Sequence, residues 1–353
     1  MDDLNEIETP AFVVDEAVAL RNIAAYQSHC DEVGLKLRPH IKTHKLVHFA
    51  KAQMDAGAAG ITCQKIGEAE VMADAGLDDI LITFNVIGSA KLDRLYGLAR
   101  KVRELAVTAD NADVIGGLAE TFRDAGSPLR VLVECDTGAH RCGVTTPEAA
   151  ADLTRMIDAA PGLVFGGLMT YPAPGGRKDV ANFMTATCAI LSRAGIDCPE
   201  ISSGGTPDMW QADKSGGVTE YRAGTYIYND RSLIKRGVCT LDDCAGRVVA
   251  TVVSRPAGDR AVIDAGSKVL TSDLLGLSGY GLIVGHPTIA IEALSEEHGT
   301  LTSDGEMPLA VGDRIEIVPN HVCVVSNMFD AIWLRTADGS LRQMRVDARG
   351  CVT

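Results

Sequence analysis

Apolar and polar positions along the chain change period several times, and each change marks an element. From Asp15 the apolar positions Ala17, Leu20, Ile23, Ala24 and Tyr26 recur at helical spacing, with Asp15 placed to cap the start and Gly34 the end. After this helix, short β-type runs alternate with helix-compatible stretches. The runs are 35–42, 60–65, 79–84, 104–110, 129–136, 163–171, 200–205 and 220–228, and the clearest helical stretches between them are 66–75, 90–100, 147–159 and 180–194. Each parallel strand needs a crossover, usually a helix. Eight strand–helix repeats over roughly 200 residues therefore match the length and order of an α/β fold of the (β/α)8 TIM barrel kind. A doubly wound sheet is the rival; no phosphate-binding glycine loop follows the first strand, and polar residues gather at the ends of several different strands, so the barrel is preferred.

Past Lys235 the texture changes to runs of Val, Ile and Thr separated by turn residues, at 247–255, 260–265, 288–294, 314–319 and 331–335. The expected division is a barrel over 11–235 and a C-terminal β-rich domain over 236–353, the latter joined by residues 1–10, with Gly237 and the Asp242-Asp243 pair near the boundary. Residues 301–309, around Asp304-Gly305, read as an exposed hairpin or loop.

Composition narrows the function classes. The 353 residues are 46% apolar and 23% charged, the balance of a soluble globular protein. Lys plus Arg number 33 against 47 Asp plus Glu, a net charge of −14, so attraction to polyphosphate is unfavourable and nucleic acid is not an expected partner. No apolar run approaches the roughly 18 to 20 residues of a membrane span; the stretch 162–169 is soon broken by Tyr171-Pro172-Ala173-Pro174. The acidic start Met1-Asp2-Asp3 lacks a signal-peptide core, which points to the cytoplasm. The 10 cysteines form no CxxC pair and are expected as free thiols. Absence of a Walker lysine loop and of a GxGxxG after a strand sets aside the two commonest nucleotide folds.

The densest chemical signal is Arg38-Pro39-His40-Ile41-Lys42-Thr43-His44-Lys45. In a strand Arg38, His40, Lys42 and His44 share one face. With Leu37 and Ile41 packed toward the helices, these basic groups would point into the barrel near the carboxyl end, which packing alone would not choose. One reading is a solvated basic cluster or phosphate patch. The other is a lysine whose pKa is lowered by cationic neighbours and desolvation, able to form a Schiff base, and Lys42 fits that role best. Pro39 argues against a wholly regular strand. After the fifth run, Val133 to Gly143 carries Arg141, either a surface arginine or one that reaches into the barrel mouth. Ser202-Ser203-Gly204-Gly205-Thr206-Pro207 and Arg222-Ala223-Gly224-Thr225 follow the last two strands, where such barrels hold a phosphate on backbone N–H groups. In Pro319-Asn320-His321-Val322-Cys323, a period of two sets His321 and Cys323 on one face, a donor pair suited to zinc. Taken alone, that motif is more simply a buried cysteine beside a hydrogen-bonded histidine.

At these residues the chain resembles the fold-type III pyridoxal-phosphate enzymes, specifically the D-threonine aldolase and D-serine dehydratase family related to the alanine racemase barrel. The resemblance runs over nearly the whole chain: Thr9-Pro10-Ala11, the Arg38 to Lys45 block, Gly67-Glu68-Ala69-Glu70, Asp136 to Gly143, Gly204 to Pro207, Glu296-Glu297-His298-Gly299 and His321-Val322-Cys323. It implies Lys42 as the lysine that carries pyridoxal 5'-phosphate, with His40 and Tyr171 as further catalytic side chains. It also implies Arg141 at the cofactor's phenolic oxygen, Tyr171 near the ring and Arg222 near the pyridine nitrogen. Ser203, Gly204, Gly205, Thr206, Gly224 and Thr225 would surround the phosphate, and His321 and Cys323 would hold a divalent zinc or manganese ion. A homodimer acting on a small D-3-hydroxy amino acid is implied as well. The leading expectation is retro-aldol cleavage to glycine and an aldehyde. Dehydration of D-serine or D-3-hydroxyaspartate is the alternative, because the family's dehydratases carry His-x-Cys where its aldolases carry His-x-Asp, whereas the 136–143 block is closer to bacterial aldolases. A racemase is a further alternative; a non-catalytic pyridoxal-phosphate carrier is disfavoured, since such carriers lack a β domain and roughly 115 residues follow the barrel here.

Overall fold

A computed structural model describes Leu4 and residues 6–353, which gather into two compact units. One holds residues 25–42, 47–224 and 351–353; the other holds the described residues up to Ala24 together with 43–46 and 225–350. The chain opens with strand β1 (Ala11–Asp15) and helix α1 (Glu16–Val33). Both expected caps of α1 form: Asp15 Oδ1 accepts from the Val18 amide at 3.0 Å, and Gly34, at φ +70°, lets the Leu35 amide reach back to the Cys30 carbonyl at 2.8 Å.

The first unit is the parallel barrel. Its strands are β2 (Lys36–Leu37), β3 (Ile61–Cys63), β4 (Asp79–Ile82), β5 (Glu104–Ala109), β6 (Leu129–Cys135), β7 (Leu163–Thr170), β8 (Ile201–Ser203) and β9 (Glu220–Tyr221). They pair in the order β2-β9-β8-β7-β6-β5-β4-β3, and a lone parallel bridge from His40 to Thr62 closes the ring. The crossovers carry α2 (Val47–Asp55), α3 (Ile66–Asp74), α4 (Ser89–Ala99), α5 (Ala112–Phe122), α6 (Pro147–Ala159) and α7 (Arg177–Arg193). Between β8 and β9 the crossover is two 3-10 turns instead of an α-helix.

Local sequence explains the regularity. In α6, Thr146 caps the Ala149 amide at 3.2 Å, Pro147 occupies the first turn, and Ala150, Ala151, Leu153, Thr154 and Ile157 form the buried stripe. Inside the barrel, Leu81, Ala106, Leu132 and Met169 make an apolar cluster over β4 to β7. Just past β9 the buried Arg222 meets it, with its guanidinium 3.2 Å from Met169 Sδ.

The second unit is rich in antiparallel strands. It contains α8 (Arg231–Lys235), β10 (Gly246–Ala257), β11 (Arg260–Ile263), α9 (Ser267–Leu270), β12 (Gly281–Ile283), β13 (Ile289–Leu294), β14 (Gly299–Ser303), β15 (Arg314–Pro319), α10 (Val322–Met328), β16 (Ala331–Arg335) and β17 (Leu341–Arg345). Its nine-stranded sheet runs β13-β14-β11-β10-β1-β16-β17, with β15 pairing to β10 and β12; only β1 and β16 run parallel. The segment expected as an exposed loop at 301–309 is a strand in its first part: Leu301 is fully buried between β11 and β13, and the loop begins only at Asp304. All ten cysteines are free thiols. Among the described residues no helix is long and apolar enough to cross a membrane.

Candidate active site

Pro39 divides the basic block into two local structures. β2 stops at Leu37, His40 rejoins the barrel as the bridge to Thr62, and Ile41–Thr43 turn as a 3-10 helix. Arg38, His40, Lys42 and His44 therefore do not line one face of a strand, as their alternation suggested. Proline cannot donate to the ladder, and the strand breaks there. Arg38 lies buried in two ion pairs, Nε to Glu220 Oε2 at 2.7 Å and Nη1 to Asp79 Oδ1 at 2.6 Å. Lys42 is half-buried on the 3-10 turn, and His44 is fully buried.

His40 sits beside two cations. Burial pushes its imidazole well below the ordinary value, and the Lys42 and Arg222 charges push the same way. Both ring nitrogens are engaged. Gln64 donates its Nε2 to the Thr83 carbonyl at 2.8 Å, so its Oε1 accepts from His40 Nε2 at 3.1 Å; His40 Nδ1 accepts from the Lys42 amide at 3.4 Å. A neutral imidazole with no idle nitrogen orients the Lys42 turn.

Arg222, one residue past β9, is buried and donates to the Thr170 carbonyl at 2.8 Å and to Ser202 Oγ at 2.7 Å. Ser202 in turn donates to Glu220 Oε1 at 2.6 Å, so a continuous chain runs from Arg222 through Ser202 and Glu220 to Arg38. Glu134, at the end of β6, is raised by burial, while Arg141 and Arg222 pull it down. The loop after β6 sets the Arg141 guanidinium over the Tyr171 ring, 4.5 Å from its centroid.

The glycine segment lies next to that pair. A Cβ added at Gly205 would come within 3.2 Å of Tyr171 Cε2, and Gly204, at φ +135°, would bring one to 2.7 Å from the Arg222 amide nitrogen. Tyr221 donates its hydroxyl to the Gly205 carbonyl at 3.0 Å, and the Gly224 amide donates to Thr206 Oγ1 at 3.3 Å. Ser203 lines a cavity of about 240 Å³ with Pro172, Val180 and Tyr221. The barrel unit thus groups His40, Lys42 and Arg222, and separately Arg141, Tyr171, Gly204, Gly205, Thr206 and Gly224. This donor set and its Cβ-free cradle fit a flat, anionic, aldehyde-bearing cofactor: an amine, cations and close backbone approach.

Thr225, His321 and Cys323 belong to the second unit. His321 and Cys323 are not on a strand: His321 stands at the N-terminus of α10 and Cys323 inside its first turn. Asp230 accounts for the change, because its Oδ2 accepts from the Val322 amide and from His321 Nδ1, each at 3.2 Å, which starts a helix where the β-branched sequence suggested extension. Burial opposes charge on His321, yet Cys323 and Asp230 outweigh it and hold the imidazole up at about 10. Cys323 Sγ has Thr43 Oγ1 at 3.0 Å and Thr225 Oγ1 at 3.5 Å. With Nδ1 tied to a buried carboxylate, His321 keeps Nε2 for a ligand, as metal-binding histidines do when a carboxylate holds their other nitrogen. Among the described residues no three His, Cys, Asp or Glu are arranged to hold a metal ion together, so an ion held by His321 and Cys323 would keep open positions. Asp230, Glu134, Gln64 and Glu220 were not foreseen. For Glu220 a signal was present, since Glu220 and Arg222 alternate at the start of the 220–228 run.

Comparison with known proteins gives the family. The family "Alanine racemase, N-terminal domain" matches residues 14–232, and a serine dehydratase domain matches 245–334. The chain is 33% identical over 365 residues to a D-threonine aldolase from Arthrobacter sp., covering 99% of this chain and 94% of that one. It is 34% identical over 374 residues to the D-threo-3-hydroxyaspartate dehydratase of Delftia sp., covering 97% of each. The crystal structure of D-threonine aldolase from Filomicrobium marinum superimposes with a TM-score of 0.91 at 32% identity, over 99% of this chain and 97% of that one. The chain belongs to the D-threonine aldolase and D-serine dehydratase family of fold-type III pyridoxal-phosphate enzymes, built on the alanine racemase barrel.

Proposed function

We propose that the protein is a pyridoxal-phosphate- and divalent-metal-dependent lyase that cleaves D-3-hydroxy amino acids between Cα and Cβ, giving glycine and an aldehyde. The observation that supports this reading is that the barrel unit holds both the His40–Lys42–Arg222 group and, separately, the Arg141–Tyr171 stack beside the glycine cradle. When bound, the cofactor supplies an electron sink for the bond broken at Cα, and the metal ion a Lewis acid for the 3-hydroxyl. Lys42 holds the cofactor through its amine, and His40 keeps the Lys42 turn in place as an uncharged ring. Arg141, resting on Tyr171, would hold the cofactor's phenolic oxygen, and Tyr171 would contact its ring. Arg222, held by Ser202 and the Thr170 carbonyl, would serve the ring nitrogen, and Ser203, Gly204, Gly205, Thr206, Gly224 and Thr225 would hold the phosphate. His321 Nε2 and Cys323 Sγ hold zinc or manganese, with Asp230 fixing the imidazole. Location in the cytoplasm and assembly as a homodimer complete the reading.

Dehydration to a 2-oxo acid and ammonia is the second reading, favoured by the thiol at position 323 and by the similarity to the Delftia dehydratase. Product analysis with D-threonine, D-phenylserine, D-serine and D-threo-3-hydroxyaspartate separates them. Glycine plus an aldehyde is expected; ammonia plus a 2-oxo acid moves the assignment to dehydratase, inversion of D-alanine alone makes it a racemase, and reaction of L-3-hydroxy amino acids only overturns the stereochemical assignment.

A further inference from the structure

The segment that carries Arg141 is an excursion from the end of β6 whose ends are tied together. The Asp136 amide donates to the Val144 carbonyl at 2.9 Å and the Val144 amide to the Glu134 carbonyl at 3.0 Å, so Val144 lies against Cys135 as a lone parallel bridge. Asp136 Oδ1 tightens the turn from inside, accepting from Gly138 at 2.9 Å and His140 at 3.1 Å. These bonds close the excursion but do not fix its direction. That restraint comes from another strand end: Asp110, directly after β5, accepts from the Gly143 amide through Oδ2 at 2.9 Å.

Asp110 is itself rigidly held. Its Oδ1 accepts from Asn85 Nδ2 at 2.8 Å and from Asn111 Nδ2 at 2.7 Å. Asn111 has its own oxygen engaged on the Val114 amide at 3.0 Å, capping α5, so its amide cannot turn over without losing the cap. Gly143, at φ +114°, packs so closely on the chain that a Cβ there would come within 2.4 Å of the Asp136 nitrogen. Three donors from the segments that follow β4, β5 and β6 thus converge on one carboxylate, and one of them, Gly143, is two residues from Arg141, whose guanidinium stacks on Tyr171.

We infer that Asp110 is a positioning residue for cofactor recognition: it clamps Gly143 and thereby holds Arg141 over Tyr171, facing the phenolic oxygen of pyridoxal phosphate. The inference rests on the reading of Arg141 as a cofactor ligand. Its chemistry requires a carboxylate, because all three partners donate. In Asp110→Asn either orientation of the amide sets an N–H against another N–H, at Gly143 or at the two asparagines.

The test is a double-mutant cycle in the full-length protein, read as the dissociation constant of pyridoxal phosphate by fluorescence. Asp110→Asn is expected to weaken binding roughly tenfold in the wild-type background and to have little effect in Arg141→Ala, because the interaction it supports is already gone. Equal losses in both backgrounds overturn the inference and leave Arg141's role standing; no loss on Arg141→Ala alone overturns the reading of Arg141 and the role of Asp110 with it. Hydrogen exchange of the apoprotein gives a second readout, whose wild-type arm does not need the variant to fold. The Gly143 amide should exchange slowly in the wild type, and in folded Asp110→Asn it should exchange fast while Val144 stays slow. Fast exchange at Gly143 in the wild type overturns the clamp.

Discussion

Arg38 offers the sharpest test of how the barrel is held together below its mouth. Its guanidinium bridges Glu220 at 2.7 Å and Asp79 at 2.6 Å with a side chain only 5% exposed, and Glu220 is 0% exposed. Arg38→Met keeps the stem's packing but leaves the Glu220 carboxylate with Ser202 as its remaining hydrogen-bonded side chain. Breaking a buried pair from one side costs about 3–5 kcal/mol, most of it the penalty of an uncompensated buried charge. Glu220→Gln added to Arg38→Met removes that charge and should return a large part of the loss. The two tryptophans fall one in each unit, Trp210 in the barrel and Trp333 in the second unit, so in a Trp333→Phe background fluorescence reports the barrel alone. With a urea m-value of about 2–3 kcal/mol/M, Arg38→Met should lower the midpoint by ~1–2 M. A shift below ~0.3 M at unchanged m, or a double variant no more stable than the single one, would refute the uncompensated-charge reasoning.

Glu134 predicts a pH effect of definite sign. Burial raises its pKa above the ordinary 4.5, so the folded barrel binds more protons than the unfolded chain just above that pH, and stability falls as pH rises through the folded value. Glu134→Gln removes this slope: relative to the variant, the wild-type urea midpoint should drop between about pH 4 and pH 7, and a constant difference contradicts the assignment. Chelation should abolish turnover while leaving the absorbance of bound pyridoxal phosphate intact, and His321→Ala and Cys323→Ser should behave alike. Turnover that survives exhaustive chelation, with no metal found by elemental analysis, would return the pair to a structural role and favour racemase chemistry.

The eight barrel strands were legible because buried parallel strands read as short apolar runs set off by helical periodicity, and α6 lies where its cap and stripe place it. The five β runs after Lys235 were legible for the same reason. What failed was local. Pro39 cut the basic block, so Lys42 stands on a 3-10 turn instead of a strand face. Val322-Cys323-Val324-Val325 carries β-branched residues and reads as extended, but the distant Asp230 carboxylate meets the Val322 amide and the chain turns helical. A capping partner some ninety residues away leaves no trace in local periodicity. The supporting groups, Asp110, Glu134, Gln64 and Glu220, are single polar residues at strand ends, and only their tertiary partners distinguish them from surface positions.

The claim on which the rest depends is that the 3-10 turn after Pro39 presents Lys42 as the cofactor's covalent anchor. Borohydride reduction of protein loaded with pyridoxal phosphate, followed by peptide mapping, tests it directly. The phosphopyridoxyl label is expected on Lys42, with loss of the yellow absorbance, and Lys42→Ala should abolish both labelling and turnover. A label on Lys45, whose Nζ lies 2.7 Å from Asn327 Oδ1 in the second unit, or a protein that takes up no cofactor at all, would contradict it.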